Sequence, residues 1–149
     1  MILLYNTGII LYSFLIKIFA LFNKKARLFV KGRKNWKKEL ETKIENDSSY
    51  IWFHCASLGE FEQGRPVIET LKNQFPEYKI LLTFFSPSGY EIRKNFPVAD
   101  IICYLPFDTK PNAKDFTRIV NPKKVFFIKY EFWLHYITEL KKQNIPLYI

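Results

Sequence analysis

The chain has 149 residues, of which 48% are hydrophobic and 18% are aromatic, enough for one domain with a largely aromatic core. The formal net charge is +9, and residues 24–43 hold nine basic residues against two acids, so an anionic partner is expected close to the amino end. Cys55 and Cys103 stand in apolar runs without metal-ligand spacing, which excludes a cysteine-held metal site and predicts two buried, reduced thiols.

The first 23 residues are predicted to form a membrane anchor helix. The run from Ile2 to Phe22 is almost entirely apolar, and about 20 such residues suffice to cross a bilayer. No basic residue precedes this run and no small-residue cleavage site follows it, so a cleaved signal peptide is not expected. Asn6, Ser13 and Lys17 fall on one narrow arc of a helical wheel. The helix could therefore span the bilayer, lie in the membrane interface, or pack on the globular domain.

Residues 24–49 are predicted to form a basic juxtamembrane linker or helix. This basic block directly follows the apolar run, which predicts a cytoplasmic carboxyl side and contact with acidic headgroups. Arg33 to Glu45 is typical of a polar helix or linker, with Trp36 as an interfacial anchor. Nucleic acid is the less favoured partner, because the block adjoins an apolar span and no recognition element. The turn signal at residues 46–49 predicts that the globular domain begins after it.

Residues 50–149 alternate short apolar runs with helical stretches. Crossovers of ten or more residues imply parallel pairing, so the pattern predicts an α/β fold with a doubly wound, mostly parallel, Rossmann-like sheet. The predicted strands are Tyr50–Cys55, Lys79–Phe85, Ile101–Leu105, Lys124–Tyr130 and Ile145–Ile149, and the predicted helices cover residues 61–75, 89–95, 112–119 and 131–142. The glycine fingerprint of dinucleotide sites and the phosphate loop of ATP sites are both absent, which excludes those ordinary nucleotide sites.

The bends that follow three of these strands carry the candidate site. Open α/β sheets bind ligands at the carboxyl edge, so the bends Ser57–Glu60, Ser86–Gly89 and Tyr130–Glu131 are expected to meet there. A lone carboxylate at this edge, Glu60, can take a proton from an incoming hydroxyl. The alternative is that Glu60 only occupies the first turn of a helix, where the macrodipole favours an acid.

The segments Trp52–Glu60 and Leu82–Gly89 carry two motifs that resemble those of 3-deoxy-D-manno-octulosonic acid (Kdo) transferases. The segment Trp52–Glu60 resembles the family signature Trp-x-His-x-Ala-Ser-x-Gly-Glu, and Pro66 matches a proline in the helix that follows. The segment Leu82–Gly89 resembles the second motif, a Thr followed by Ser/Thr-x-Ser/Thr-Gly.

Two further motifs follow in the family's order, so the resemblance covers essentially the whole chain. Tyr104–Asp108 resembles Tyr-Leu-Pro-aromatic-Asp, and Glu131-Phe132-Trp133 stands where the family has Glu-Thr-Glu-Leu-Trp-Pro. Lys129 and Tyr130 depart from that run, as does Leu134 in place of the proline. Of the two acids of the run, only Glu131 remains.

The resemblance implies an inverting glycosyltransferase of the B type, with two Rossmann-like halves facing a cleft. The amino-terminal half of such an enzyme binds the lipid A precursor (lipid IVA), and the other half binds the donor CMP-Kdo. Residues 50–149 correspond to the acceptor-binding half, so the chain is expected to be an amino-terminal fragment that is inactive alone. No cofactor and no metal are expected. The implied location is the inner membrane, with the catalytic domain on its cytoplasmic face.

The resemblance also implies roles for individual residues. Glu60 is the expected general base, and Glu131 is expected to stabilise charge on the sugar ring in the transition state. The residues expected to bind the acceptor phosphates near helix starts are Ser57, Gly59, Ser88 and Gly89. Two alternatives remain open at this point. One is another membrane-associated B-type glycosyltransferase, such as a heptosyl- or N-acetylglucosaminyl-transferase, and the other is a non-catalytic, membrane-anchored fragment that binds a lipid or a partner.

Overall fold

A parallel five-stranded sheet forms the centre of the structure, a computed structural model that describes residues 2–149. Helices before and between the strands cover it. In chain order the elements are α1 (Ile2–Phe19), α2 (Lys24–Lys31), α3 (Trp36–Lys43), β1 (Tyr50–Cys55), α4 (Leu58–Gln74), β2 (Lys79–Phe84), α5 (Pro87–Arg93), β3 (Ile101–Tyr104), α6 (Lys110–Val120), β4 (Lys124–Phe127), α7 (Leu134–Lys142) and β5 (Leu147–Tyr148).

The strands lie in the order β3-β2-β1-β4-β5, and all neighbours are parallel. In the register of the sheet, Trp52 of β1 lies beside Leu81 of β2 on one side and Val125 of β4 on the other. The chain first winds outward from β1 to β3 and then crosses to β4 and β5. The predicted doubly wound α/β fold is therefore confirmed, and the winding reverses between β1 and β4. Such a switch point is where open α/β sheets bind ligands.

Two separate apolar cores cover the two faces of the sheet, because side chains alternate along each strand. Tyr50 and Trp52 face the core beneath α3, α6 and α7. Ile51 and Phe53 face the core beneath α4 and α5. All six residues of β1 are buried, as expected for a strand that has helices on both sides.

The two cysteines differ in burial. Cys55 lies in the central strand β1 and is fully buried, whereas Cys103 is only partly buried. Cys103 belongs to β3, which is at the edge of the sheet and has a neighbouring strand on one side only. Both are free thiols.

Residues 24–49 form two helices that pack on the body of the protein, so the helical alternative for this segment holds. Ala26 and Phe29 of α2 and Leu40 of α3 are buried. Trp36 packs on α6, with its ring centroid 6.0 Å from that of Phe116, and its role as an interfacial anchor stays a prediction.

Arg33, just after α2, is buried although it carries a charge. Its guanidinium donates hydrogen bonds to three backbone carbonyls, those of Phe29 at 3.0 Å, Phe85 at 2.7 Å and Leu105 at 2.9 Å. Its central carbon lies 3.7 Å from the ring centroid of Phe29 and 5.0 Å from that of Tyr104, distances typical of cation–π contacts. Among the residues described, no carboxylate forms an ion pair with it. Burial lowers the pKa of Arg33 to about 10, which leaves it charged at neutral pH.

The helix α1 rests on the protein through a narrow polar and aromatic seam. The Tyr5 hydroxyl donates to the Asp108 carboxylate, and Asn6 is bonded to the ring of His135 in α7. Tyr12 packs among aromatic rings from α2 and from the bends after β2 and β3. The opposite face of α1 leaves large apolar side chains exposed, and by length and composition the helix could cross a membrane.

The fourth strand is shorter than predicted. It ends at Phe127, although the apolar run continues to Tyr130. The cause is Lys129, whose φ of 65° places it in the left-handed region and turns the chain out of the sheet. Strand β1 has its predicted bounds, and the remaining elements of residues 50–149 differ from theirs by about one to three residues, the usual uncertainty of element ends.

The last helix begins later than predicted, at Leu134 and not at Glu131. Its start is fixed by Asp108, which is only 1% exposed. The Asp108 carboxylate accepts hydrogen bonds from the backbone N–H groups of His135 and Tyr136, both at 3.0 Å. These N–H groups belong to the first turn of α7 and have no partner within the helix, so a distant acid caps it.

Replacing Arg33 by Lys should destabilise the protein strongly. A lysine ammonium cannot reach three carbonyls that a planar guanidinium bonds together, so it leaves buried acceptors unpaired. We expect the free energy of unfolding to fall by about 3 kcal/mol, measured by urea denaturation. The control is Lys34→Ala at the exposed neighbouring position, for which the change should stay below about 0.5 kcal/mol. Equal stability of the two variants would show that the Arg33 bonds do not hold α2.

Candidate active site

Three bends meet at the carboxyl edge of the sheet. The backbone N–H of Ser86 donates to the carbonyl of Ala56 at 2.7 Å, which joins the bend after β2 to the bend after β1. The N–H of Ile128 donates to the carbonyl of His54 at 2.9 Å, which joins the exit of β4 to the end of β1. The candidate site therefore lies at the switch point of the sheet, between β1 and β4.

Glu60 occupies the first turn of α4, where it forms a capping box with Ser57. One carboxylate oxygen, Oε2, accepts a hydrogen bond from the Ser57 N–H at 2.6 Å and another from the Ser57 hydroxyl. Within residues 2–149, no donor is bonded to the second oxygen, Oε1, and no cation is paired with the carboxylate. Glu60 thus has the structural role of a helix cap and also keeps one oxygen available for a proton.

Glu131 lies in the bend after β4, with its side chain 18% exposed. Burial raises the pKa of this carboxyl, and the negative charge of Glu60 raises it further. No group of three or more His, Cys, Asp or Glu side chains with the geometry of a metal site occurs in the described part of the chain.

A buried polar network lies beneath these carboxylates. The indole N–H of Trp133 donates to Nε2 of His54 at 3.1 Å, and Nδ1 of His54 is 2.9 Å from the Thr83 hydroxyl oxygen. The Trp52 indole donates to the same oxygen at 2.8 Å. Because Nε2 accepts a bond, the ring proton is on Nδ1 and points to Thr83. Burial lowers the pKa of His54 to about 3, so its 3.9 Å approach to Glu131 is not an ion pair at neutral pH.

Sequence reasoning assigns no role to His54 and Thr83, although both stand in motif segments. The structure places them directly opposite each other in the register of β1 and β2. Each is a polar residue inside an otherwise apolar strand, and such a residue needs a partner when it is buried. That pairing of isolated polar residues is the signal by which the network could have been found.

Two predicted acceptor-binding residues belong to the start of α4. Gly59 is exposed, and a Cβ atom at this position would meet only the Ser57 hydroxyl oxygen, at 3.9 Å. No acceptor for the Gly59 N–H is found among the described residues. The Ser57 N–H, by contrast, is already bonded to Glu60. Of the two, Gly59 is therefore the one whose N–H is open to a ligand.

The other two predicted acceptor-binding residues belong to the short helix α5. The Ser88 hydroxyl is bonded to the Ser86 hydroxyl at 3.0 Å, and the Gly89 N–H donates to the Ser86 carbonyl at 3.2 Å. Gly89 is buried, and a Cβ atom there would lie 2.3 Å from the Phe84 ring. Close packing of α5 on β2 therefore accounts for a glycine at this position, and any contact of Ser88 or Gly89 with a ligand stays a prediction.

Removing the charge of Glu60 should lower the pKa of Glu131. In a Glu60→Gln variant the like charge is gone, so ionisation of Glu131 becomes easier and the pKa moves down toward its ordinary value. Carbon-13 NMR of the side-chain carboxyls during a pH titration measures this shift. Glu62→Gln is the matched control, since Glu62 lies on the same helix but pairs with Arg93. An unchanged pKa of Glu131 in Glu60→Gln would show that the two acids do not interact.

Comparison with known proteins identifies the family of this chain. The family model described as 3-Deoxy-D-manno-octulosonic-acid transferase (kdotransferase) matches residues 29–149. A 3-deoxy-D-manno-octulosonic acid transferase of Aquifex aeolicus is 34% identical over 103 residues, which are 68% of this chain and 28% of that protein. The protein of the same name from Haemophilus influenzae is 32% identical over 100 residues, 66% of this chain and 23% of that protein.

A third relative, the 3-deoxy-D-manno-octulosonic acid transferase of Chlamydia trachomatis, is 27% identical over 108 residues, 71% of this chain and 25% of that protein. The chain thus spans about a quarter of the length of these curated relatives. The family match includes every strand of the sheet and all three bends of the candidate site. The chain belongs to the 3-deoxy-D-manno-octulosonic acid transferase family.

Proposed function

We propose that this chain is the acceptor-binding half of a glycosyltransferase that moves Kdo from CMP-Kdo to a hydroxyl of the lipid A precursor, lipid IVA. Membership of the family supports the transfer of this sugar. The observation that carries the proposal is the position of Glu60. It stands at the switch point of the sheet, is held by Ser57 through one oxygen, and keeps the other oxygen without a partner among the described residues.

In the proposed reaction, the acceptor hydroxyl oxygen attacks the anomeric carbon of Kdo. The bond from that carbon to the phosphate oxygen of CMP breaks, and CMP leaves with the electron pair. Glu60 takes the hydroxyl proton on Oε1 while Oε2 stays bonded to Ser57, so the base is fixed in place before the substrate arrives. A positioned base of this kind contributes roughly 10²–10⁴ in rate.

Glu131 stabilises the positive charge that develops on the sugar ring in the transition state. Its side chain is only 18% exposed, and charges interact more strongly where water is largely excluded. The neutral network of His54, Thr83 and Trp133 holds the bend of Glu131 against β1. The bend that carries Glu131 is therefore held in a fixed position relative to β1.

The acceptor phosphates bind near the starts of α4 and α5, where N–H groups and the helix dipole favour anions. The open N–H of Gly59 makes the main contact, and Ser57 fixes the turn around it. Ser88 lies on the adjoining bend, and Gly89 sets the depth of that side of the pocket by letting α5 pack closely on β2. No cofactor takes part in this scheme.

We propose that α1 attaches the protein to the inner membrane, with the catalytic residues on the cytoplasmic side. The apolar face of α1 is exposed, and the basic residues that follow it suit the cytoplasmic surface. Tyr5, Asn6 and Tyr12 hold the helix against the protein along much of its length. This contact favours a helix that lies in the interface over one that crosses the bilayer.

Glu60→Gln should abolish most of the activity without harming the fold. Glutamine can still accept the Ser57 N–H bond of the capping box, but it cannot take up the hydroxyl proton. In an enzyme that joins these residues to a donor-binding half, we expect turnover with CMP-Kdo to fall at least ~100-fold. Glu62→Gln, two positions along the same helix, should keep normal turnover. Near-normal turnover of Glu60→Gln would refute the assignment of the base.

The choice of donor separates the proposed reaction from that of other B-type glycosyltransferases. The wild-type enzyme is assayed with CMP-Kdo, UDP-N-acetylglucosamine and ADP-heptose, using the same lipid acceptor and mass spectrometry of the product. Only CMP-Kdo should give a glycosylated lipid. Transfer from a nucleotide-diphosphate sugar would instead support a heptosyl- or N-acetylglucosaminyl-transferase, and no transfer from any donor would support a non-catalytic lipid-binding protein.

A further inference from the structure

A second polar feature lies away from the three bends, in a groove between α1, α2 and α3. The groove has a volume of about 840 Å³. Four exposed cationic side chains line it, those of Lys17, Arg27, Lys31 and Lys34, together with the buried Arg33, and no carboxylate does. None of its lining residues belongs to the bends after β1, β2 or β4. The groove is therefore separate from the candidate active site.

The charges of the groove are not neutralised by the protein. Within residues 2–149, none of the four cations forms an ion pair, whereas nearby Lys37 pairs with Asp115 at 2.8 Å. The buried Arg33 adds a fifth positive charge to the lining. Cations gathered in one concave surface repel one another and raise the local concentration of anions. The arrangement is accordingly suited to an anionic ligand.

The groove is also apolar and continues into the exposed surface of α1. Its lining includes Leu21, Val30 and Phe107. Leu21 is 69% exposed and the adjoining Phe22 is 84% exposed. A soluble anion would leave these side chains in water, whereas a ligand with hydrocarbon chains would cover them.

Arg27 joins the polar and apolar parts of the groove. Its guanidinium donates to the backbone carbonyls of Ala20 and Leu21, both at 3.3 Å, just after α1 ends. These bonds fix the end of α1 against α2, so the two walls of the groove are held together before any ligand binds. A site of this kind needs little rearrangement on binding.

We propose that this groove binds the phosphate headgroup of an anionic phospholipid, whose acyl chains lie along the exposed apolar face of α1. Lys31 and Lys34 contact the phosphate from α2 and from the turn after it, and Lys17 contacts it from α1. Arg27 holds the walls, and Leu21 and Phe22 meet the first carbons of the chains. The bound lipid holds the protein at the membrane surface, and this binding requires neither the sugar donor nor Glu60.

The test compares two double variants that change the net charge equally. Lys31→Glu/Lys34→Glu reverses two charges of the groove, and Lys123→Glu/Lys124→Glu reverses two exposed charges at the amino-terminal edge of the sheet. Binding of the purified chain to vesicles of phosphatidylcholine, with and without phosphatidylglycerol, is measured by flotation. The groove variant should bind the anionic vesicles at least ~10-fold more weakly, while the control variant should stay within about twofold of the wild type. Equal weakening of both would overturn the proposal, because net charge alone would then explain the attraction.

A second readout tests occupancy of the groove directly. Trp36 lines the groove and is an internal fluorophore. In mixed vesicles of fixed composition, bromine-labelled phosphatidylglycerol should quench its fluorescence more than bromine-labelled phosphatidylcholine, and Trp36→Phe should remove the difference. Equal quenching by the two lipids would contradict a headgroup site.

Loss of vesicle binding in millimolar glycerol phosphate would show that the groove selects a soluble phosphate and would also overturn the lipid assignment.

Discussion

The buried guanidinium of Arg33 is the contact on which the arrangement of the amino-terminal helices depends. Its three acceptors are carbonyls from α2 and from the bends after β2 and β3, so one side chain ties three distant segments together. The ring of Phe85, whose carbonyl it bonds, lies 4.6 Å from the ring of Trp133, and Trp133 bonds His54 at the end of β1. Arg33 therefore connects the helices that carry the basic groove to the floor of the candidate active site. The charge is stabilised by carbonyl dipoles and aromatic faces, which replace the usual carboxylate.

The motif residues of this family divide into two physical groups in the structure. Trp52, His54, Thr83 and Trp133 form a closed network in which every polar atom named above has a partner. Glu60 and Glu131 stand at its surface, partly open to solvent. A rigid network whose polar atoms are hydrogen-bonded, lying beneath two accessible carboxyl groups, is the arrangement expected where catalysis requires fixed positions. The polar network and the two acids of these motifs thus lie together at the carboxyl edge of the sheet.

The sequence predicted correctly those strands and helices that are determined by residues close to them in the chain. The buried strand Tyr50–Cys55 and the doubly wound order follow from apolar runs and crossover length, and both agree with the structure. The start of α7 could not be predicted in this way, because it is fixed by Asp108, which lies far back along the chain. The burial of Arg33 was equally hidden, since in sequence it is one basic residue among nine and its aromatic neighbours come from separate segments. The roles of Glu60 and Glu131 depend on substrates and stay predictions.

The neutral state of His54 has a consequence for enzymology. A histidine beneath an active site is commonly invoked when turnover declines in mildly acidic solution, because imidazole usually titrates there. Here burial keeps the pKa of His54 at about 3, and Trp133 occupies the nitrogen that would receive a proton. Loss of activity in mildly acidic solution would therefore report on a group other than His54. Glu131, whose pKa is raised by burial and by the charge of Glu60, is the first to consider.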